Sequence, residues 1–170
     1  MARRLVGLGA EVLLVDSMVS ESGGNPANIA DIRDQVRVNI ADIRDREAMR
    51  HLLAGQHFLF DLAAQTSHLD SMNAPEHDLA VNCVAQLQLL ELCRAVAPEM
   101  ALVHAGTRQI YGRPQYLPVD EAHPLRPADV NGVNKMAGEA YHLMFCDVYG
   151  LKTRSLRRRT RRCCRHASES

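Results

Sequence analysis

Five short runs rich in β-branched residues or leucine recur along this chain, and helical patterns lie between most of them. The runs are AEVLLVD (residues 10–16), QVRVNI (35–40), HFLFDLAA (57–64), MALVHAGT (100–107) and LKTRSL (151–156); the helical patterns cover residues 45–54, 75–97 and 129–149. When strand, helix and strand succeed one another in this way, the returning strand lies parallel to the first and the helices cover the sheet. The expectation is an α/β fold with a doubly wound parallel sheet.

At 170 residues, 46% of them hydrophobic and 24% charged, the chain has enough apolar material for one domain with a real core, so disorder is not the reading. Trp is absent and aromatics are only 4%, so the core must be aliphatic. In the helix at 75–97 the apolar stripe is Leu79, Ala80, Cys83, Val84, Leu87, Leu90 and Val96, predicted to pack on the sheet. In the helix at 129–149 it is Val133, Met136, Ala137, Ala140, Tyr141, Met144 and Val148, and Gly150 supplies the stop. MARRLVGLG reads as the second half of an amphipathic helix running into the strand that ends at Asp16. A doubly wound sheet opens with a strand and a glycine-rich turn before such a helix. The first strand and that turn are therefore expected to be missing.

Zero net charge conceals an asymmetry: residues 1–151 hold 12 Lys+Arg against 19 Asp+Glu, and residues 152–170 hold 8 against 1. Such a basic end could contact nucleic acid, but no aromatic residue interleaves its arginines as stacking would require, so nucleic acid is not the expected partner. The five cysteines show no C-x-x-C spacing and read as thiols of a reducing cytoplasm. Glu11 interrupts the apolar stretch after Arg3 and Arg4, and no run approaches the roughly 20 apolar residues of a membrane span, so no membrane association is expected. No metal site is expected.

Chemistry is suggested at the strand ends. Asp16 closes a hydrophobic strand, where in dinucleotide folds an acid accepts hydrogen bonds from the adenosine ribose; taken alone it could equally be a turn aspartate. The block Ala41-Asp42-Ile43-Arg44-Asp45 follows the next strand, with Asp45 also a candidate N-cap. Leu62, Ala63, Ala64 and Gln65 close the third with small residues that let a planar cofactor approach, or that simply pack tightly.

With LLVD, ADIRD, FDLAAQTSH, NCVAQLQLLELCR, VHAGTRQIYG and NGVNKMAGE in this order and spacing, the sequence resembles the extended short-chain dehydrogenase/reductase family, specifically its NAD-dependent nucleotide-sugar epimerases of the UDP-glucose 4-epimerase kind. The resemblance covers about residues 5–150. It implies a Rossmann-like fold, NAD as a recycled cofactor, a nucleotide sugar such as UDP-glucose as substrate, and a parent enzyme that is a homodimer. By it, Asp16 would hold the adenosine ribose, Asp42 and Ile43 the adenine, and Leu62, Ala63, Ala64 and Gln65 would line the cofactor's middle. Asn82 would stand near the cofactor, although by its own pattern it is as well placed for solvent.

Thr107 matches the family's catalytic Ser/Thr. Lys135 matches the lysine that binds the nicotinamide ribose, and four residues before it, on the same helix face, the family places a tyrosine as proton exchanger. Here that position is Asn131, whose amide cannot titrate near pH 7. Epimerase chemistry is therefore expected to be impaired, with a non-catalytic dinucleotide- or nucleotide-sugar-binding remnant as the alternative. The related dehydratases place Asp-Glu after the threonine, whereas this chain has Arg108-Gln109. The expected organisation is a partial NAD-binding domain over residues 1–156, a basic, disordered or frame-shifted tail over 157–170, and no substrate domain.

Overall fold

The computed structural model describes residues 1–19 and 23–158, with Arg158 described in its backbone only. The expectation of a disordered or frame-shifted tail falls mostly on 159–170, outside the described residues.

The elements are α1 (Ala2–Gly7), β1 (Val12–Asp16), a 3-10 segment (Pro26–Gln35), β2 (Val36–Ile40), α2 (Arg46–Leu53), β3 (Phe58–Asp61), α3 (His68–Asn73), α4 (Pro75–Leu79), a π-helical segment (Ala80–Val84), α5 (Ala85–Val96), β4 (Ala101–Thr107), α6 (Val130–Tyr149) and β5 (Thr153–Arg158). All pairings are parallel. β1 pairs with β2 from Val12↔Val36 to Asp16↔Ile40; β3 pairs with β4 from Phe58↔Ala101 to Asp61↔His104; β4 pairs with β5 from Leu102↔Thr153 to Thr107↔Arg158. The result is a two-stranded sheet, β1-β2, and a three-stranded sheet, β3-β4-β5. Among the described residues no strand joins β1 to β3.

Helix ends follow local chemistry. Asp45 caps α2 by accepting from Ala48 N at 3.0 Å, Asp129 caps α6 by accepting from Gly132 N at 2.6 Å, and Gly150 ends α6 in the left-handed region at φ 70°. The helix α3 was not anticipated, although Ser67, three residues before Asp70, caps it through Asp70 N. The expected third strand, 57–64, stops at Asp61, and Leu62–Gln65 continues as irregular chain. The last strand runs two residues beyond the expected Leu156.

The core, aliphatic but for Phe145, is built from Met49, Leu53, Leu89, Leu90, Leu92, Cys93, Met100, Leu102, Phe145 and Leu151. Two predicted stripes need correction. In the helix from Pro75, Cys83 and Leu90 are buried as expected, but Leu79 and Val84 are exposed while Asn82 and Gln86 are fully buried. The inner face begins at Asp78, ahead of the π-helical segment, and is displaced from the apolar stripe because Asp78, Asn82 and Gln86 find hydrogen-bond partners inside. In α6, Val133, Met144 and Val148 face outward, and the buried face is instead Asn131, Lys135, Gly138, Glu139, His142 and Phe145. Hydropathy alone pointed the helix the wrong way, because its inner face carries polar groups that find partners inside. A third expectation also needs amending. The stretch Pro75–Val96 is long and apolar enough by composition to cross a membrane, although its inner face holds the buried polar side chains of Asp78, Asn82 and Gln86.

Candidate functional site

Parallel strands place Asp16, Asp61 and Thr107 at their carboxyl ends, where open α/β sheets bind ligands. Asp16 is exposed, and one carboxylate oxygen accepts from Met18 N at 2.7 Å, while the other has no partner among the described residues. Asp42 is drawn into an ion pair with Arg44 at 2.6 Å and also accepts from Arg44 N. The Arg44 guanidinium holds the Asp42 carboxyl below its ordinary range. Ile43 packs against the core cluster. At this strand end the backbone of 42–43 and the remaining lone pairs of Asp42 are what an adenine edge could meet.

The segment Leu62, Ala63, Ala64 and Gln65 leads from β3 toward α3, with Leu62 and Ala63 exposed and Ala64 and Gln65 half-buried. Gln65 is where the predicted residues converge. Its carbonyl oxygen accepts from Asn82 Nδ2 at 2.9 Å and from Asn131 Nδ2 at 2.7 Å. Asn131 Nδ2 also donates to Asp78 Oδ2 at 2.9 Å, and Asn134 Nδ2 donates to Asp78 Oδ1 at 2.8 Å. Asn82 is thus buried beside the predicted cofactor-lining segment, not at the surface. Asn131 is 1% exposed with its amide hydrogens engaged; it ties α6 to the β3 loop and offers no group that can move a proton.

Lys135 sits one turn further along the same face, 5% exposed, and its Nζ donates to Ala105 O at 3.3 Å. Burial pushes its pKa down, while the negative charges of Asp61 and Asp78 push it back up. Thr107 follows two residues after that carbonyl. Its Oγ1 accepts from Gln109 N at 3.3 Å and lies 3.2 Å from Gln109 Oε1. The expected threonine and lysine therefore both lie toward the carboxyl end of β4, Lys135 on Ala105 O and Thr107 two residues beyond, with Asn131 one turn before Lys135 on α6, while Asp16, Asp42 and Ile43 belong to the β1-β2 side.

Sequence reading missed the polar groups beneath this site. Asp61, Asp78, Gln86, His104 and His142 are all buried. His104 Nδ1 lies 2.9 Å from Asp61 Oδ2. His104 and His142 stack at 4.3 Å between ring centroids, 18° from parallel. His142 reaches Thr153 Oγ1 at 2.9 Å and Gln86 Oε1 at 3.1 Å. The available signal was a charged or titratable residue inside the apolar runs FLFD and ALVHAGT, on strands that a doubly covered sheet should make continuously apolar.

A dinucleotide fits the donor set on three counts: a carboxylate oxygen of Asp16 with no partner among the described residues, small side chains at Ala63 and Ala64, and the buried Lys135 Nζ with donors to spare.

Residues 1–168 match the family described as GDP-mannose 4,6 dehydratase. A UDP-glucose 4-epimerase of Mycolicibacterium smegmatis is 32% identical over 152 residues, which is 87% of this chain and 47% of that protein. The UDP-glucose 4-epimerase of Thermus thermophilus, solved in complex with NAD, superposes with a TM-score of 0.82 at 31% identity over 92% of this chain and 49% of the other. That of Thermotoga maritima, solved with UDP-glucose, gives 0.81 at 28% identity over 92% and 50%. The chain spans about half the length of the relatives it matches.

Proposed function

The chain belongs to the GDP-mannose 4,6-dehydratase family, and on that premise we propose that it is the cofactor-binding half of an NAD-dependent enzyme that epimerises a nucleotide sugar such as UDP-glucose. The observation that carries this reading is Lys135, buried over the carboxyl end of β4 with Thr107 two residues beyond its carbonyl partner. Bound NAD would take up and return a hydride as the sugar passes through a transient keto form. Asp16 would receive the adenosine ribose hydroxyls, Asp42 and Ile43 would border the adenine, and Leu62 to Gln65 would lie along the cofactor's middle, with Asn82 holding that segment by its hydrogen bond to Gln65 O. An ammonium carries three N–H donors and one is given to Ala105 O, so Lys135 keeps donors for the nicotinamide ribose. Thr107, whose hydroxyl now rests on Gln109, would turn it to the sugar's reacting oxygen. Arg108 and Gln109 follow it where a dehydratase would carry acids, which favours epimerisation.

Proton exchange is the weak step, since Asn131 has no titratable group. Its engagement with Gln65 and Asp78 favours a second reading, a remnant that binds dinucleotide or nucleotide sugar without turning it over. Calorimetry with NAD, followed by an assay for epimerised UDP-glucose, separates them. Binding with turnover supports the enzyme, and binding without it supports the remnant. No binding of either NAD or UDP-glucose at millimolar concentration would sink both for this chain.

The partner we propose for the outward faces is a second copy of the chain. Val133 and Leu79 border a mainly apolar cleft of about 560 Å³ between α4 and the start of α6, and Val148 continues the apolar face along α6. Light scattering that finds a monomer at all concentrations would reject it. A reducing cytoplasm, proposed as the setting, agrees with the free thiols of Cys83, Cys93 and Cys146.

A further inference from the structure

Asp61, His104 and His142 form a polar island inside an aliphatic core, each 4% exposed or less. Taking a carboxylate out of water is costly unless something compensates it. Asp61 and His104 are register partners on β3 and β4, so their side chains share one face of the sheet. That face is the one α6 covers, as the stacking of His104 on His142 shows. Lys135 lies seven residues before His142, on the same face of α6. The one buried lysine and the buried acid thus occupy the same layer between sheet and helix.

The three side chains also bring donor atoms within 4.8 Å of one another, but they are poorly arranged to chelate an ion. Imidazole lone pairs lie in the ring planes, and planes 18° from parallel with centroids 4.3 Å apart do not meet at metal-ligand distance. A hydrogen-bonded arrangement that fixes the carboxylate fits better. His104 Nδ1 supplies the hydrogen bond that fixes Asp61, and its Nε2 is buried without a partner.

We propose that Asp61, held by His104, is the buried counter-charge of Lys135, a positioning residue that keeps the lysine an ammonium at the carboxyl end of β4. This rests on the reading of Lys135 as the ribose-binding lysine, but its test does not. The groups facing the lysine are Asp61 on β3, His104 on β4, Asp78 on α4, and His142 on α6 itself. Glu139, on the same helix, is paired with Arg157 at 2.6 Å. Burial lowers the pKa of the lysine, and the two acids oppose that. Asp78 keeps its charge but is tied by two amides to α6, whereas Asp61 stands on the strand next to β4, whose Ala105 carbonyl the lysine binds.

The chain has two lysines, Lys135 and the exposed Lys152, which pairs with Glu99 at 2.7 Å. Protein labelled with 13Cε-lysine therefore gives two resonances, assigned with Lys152→Arg, whose shifts against pH report each ammonium directly. The wild type is expected to keep Lys135 charged at pH 7. Asp61→Asn is expected to lower the Lys135 midpoint by about one pH unit or more, as loss of a nearby opposite charge does, with Lys152 unmoved. His104→Gln, which preserves a donor to Asp61, is expected to leave most of the midpoint in place. A neutral Lys135 at pH 7 in the wild type would overturn the proposal even if Asp61→Asn fails to fold. So would an unchanged midpoint in a folded Asp61→Asn protein. NAD calorimetry on the same samples judges the ribose-binding reading separately, since a chain that never binds NAD still yields the titration.

Discussion

Asn131 stands where the family's pattern calls for a phenol, and its surroundings decide what a substitution there would do. Its amide hydrogens go to Gln65 O and Asp78 Oδ2, and leaving a buried partner unsatisfied costs about 1–3 kcal/mol. Asn131→Ala and Asp78→Ala are each expected to destabilise by about that much in urea melts. Because they share one bond, the double variant should lose less than the sum, by about 0.5–3 kcal/mol; strict additivity would mean the clamp is not formed. In a protein extended to the length of its relatives, Asn131→Tyr is expected to raise turnover by about 10² to 10⁴-fold, the usual scale of general acid–base catalysis, while lowering the melting temperature through the lost clamp. A slower tyrosine variant would move the base elsewhere. His142 offers a second test. Burial and the neighbouring His104 hold its pKa down from 6.5 to about 3. An unfolded histidine takes its proton near 6.5, so the stability owed to the neutral ring is complete above that pH and is lost as the pH falls from 6.5 toward 3. Melting temperatures from pH 7.5 to 4 should therefore fall, and His142→Leu should flatten that slope; an equal slope in the variant would place the acid sensitivity in other groups.

Helix α6 shows what periodicity can and cannot give. Gly138 on its buried face comes so near the π-helical segment that an added Cβ would lie 2.6 Å from Asn82 O, a backbone atom that cannot swing aside. Gly138→Ala is expected to cost about 1–3 kcal/mol, the range for overpacking, read as a lower urea midpoint with unchanged slope. A neutral substitution would mean the two helices are not held this closely. The same helix marks the limit of sequence reading. Its span, expected over 129–149, and its Gly150 stop were legible, since they depend on neighbours in the chain. Its inward face was not, because Lys135 and His142 are buried for the sake of partners on β4 and β5. Thr107, Asn131 and Lys135 were singled out only through the family resemblance, whereas Asp61 and Asp78 come to this region only through contacts 53 residues away or through the sheet register.

The molecule as a whole is unevenly held together. Every residue of the aliphatic core cluster comes from Met49 onward, while the part before it, α1, β1, the 3-10 segment and β2, buries only Ile32 and Val36 among its hydrophobic side chains. Its sheet has two strands, and an isolated pair of strands is marginal without a broad apolar face to cover. Phe58 and Ile40, both more than two-thirds exposed, lie on β3 and β2, strands that each end a sheet, a combination that favours association over a tidy monomer. Local opening follows such differences in burial, because a segment that brings few apolar contacts can detach without dismantling the core. Hydrogen exchange followed by mass spectrometry is therefore expected to show the amides of Val12–Asp16 and Val36–Ile40 exchanging at least about tenfold faster than those of Ala101–Thr107, an opening free energy lower by about 1.4 kcal/mol or more. A hydrophobic dye should bind under the same native conditions. If both sheets exchange together, at the rate set by one cooperative unfolding step, then the β1-β2 pair is coupled to the core by contacts stronger than its burial implies. The division of the molecule into a firm three-stranded half and a loosely held two-stranded half would have to be given up.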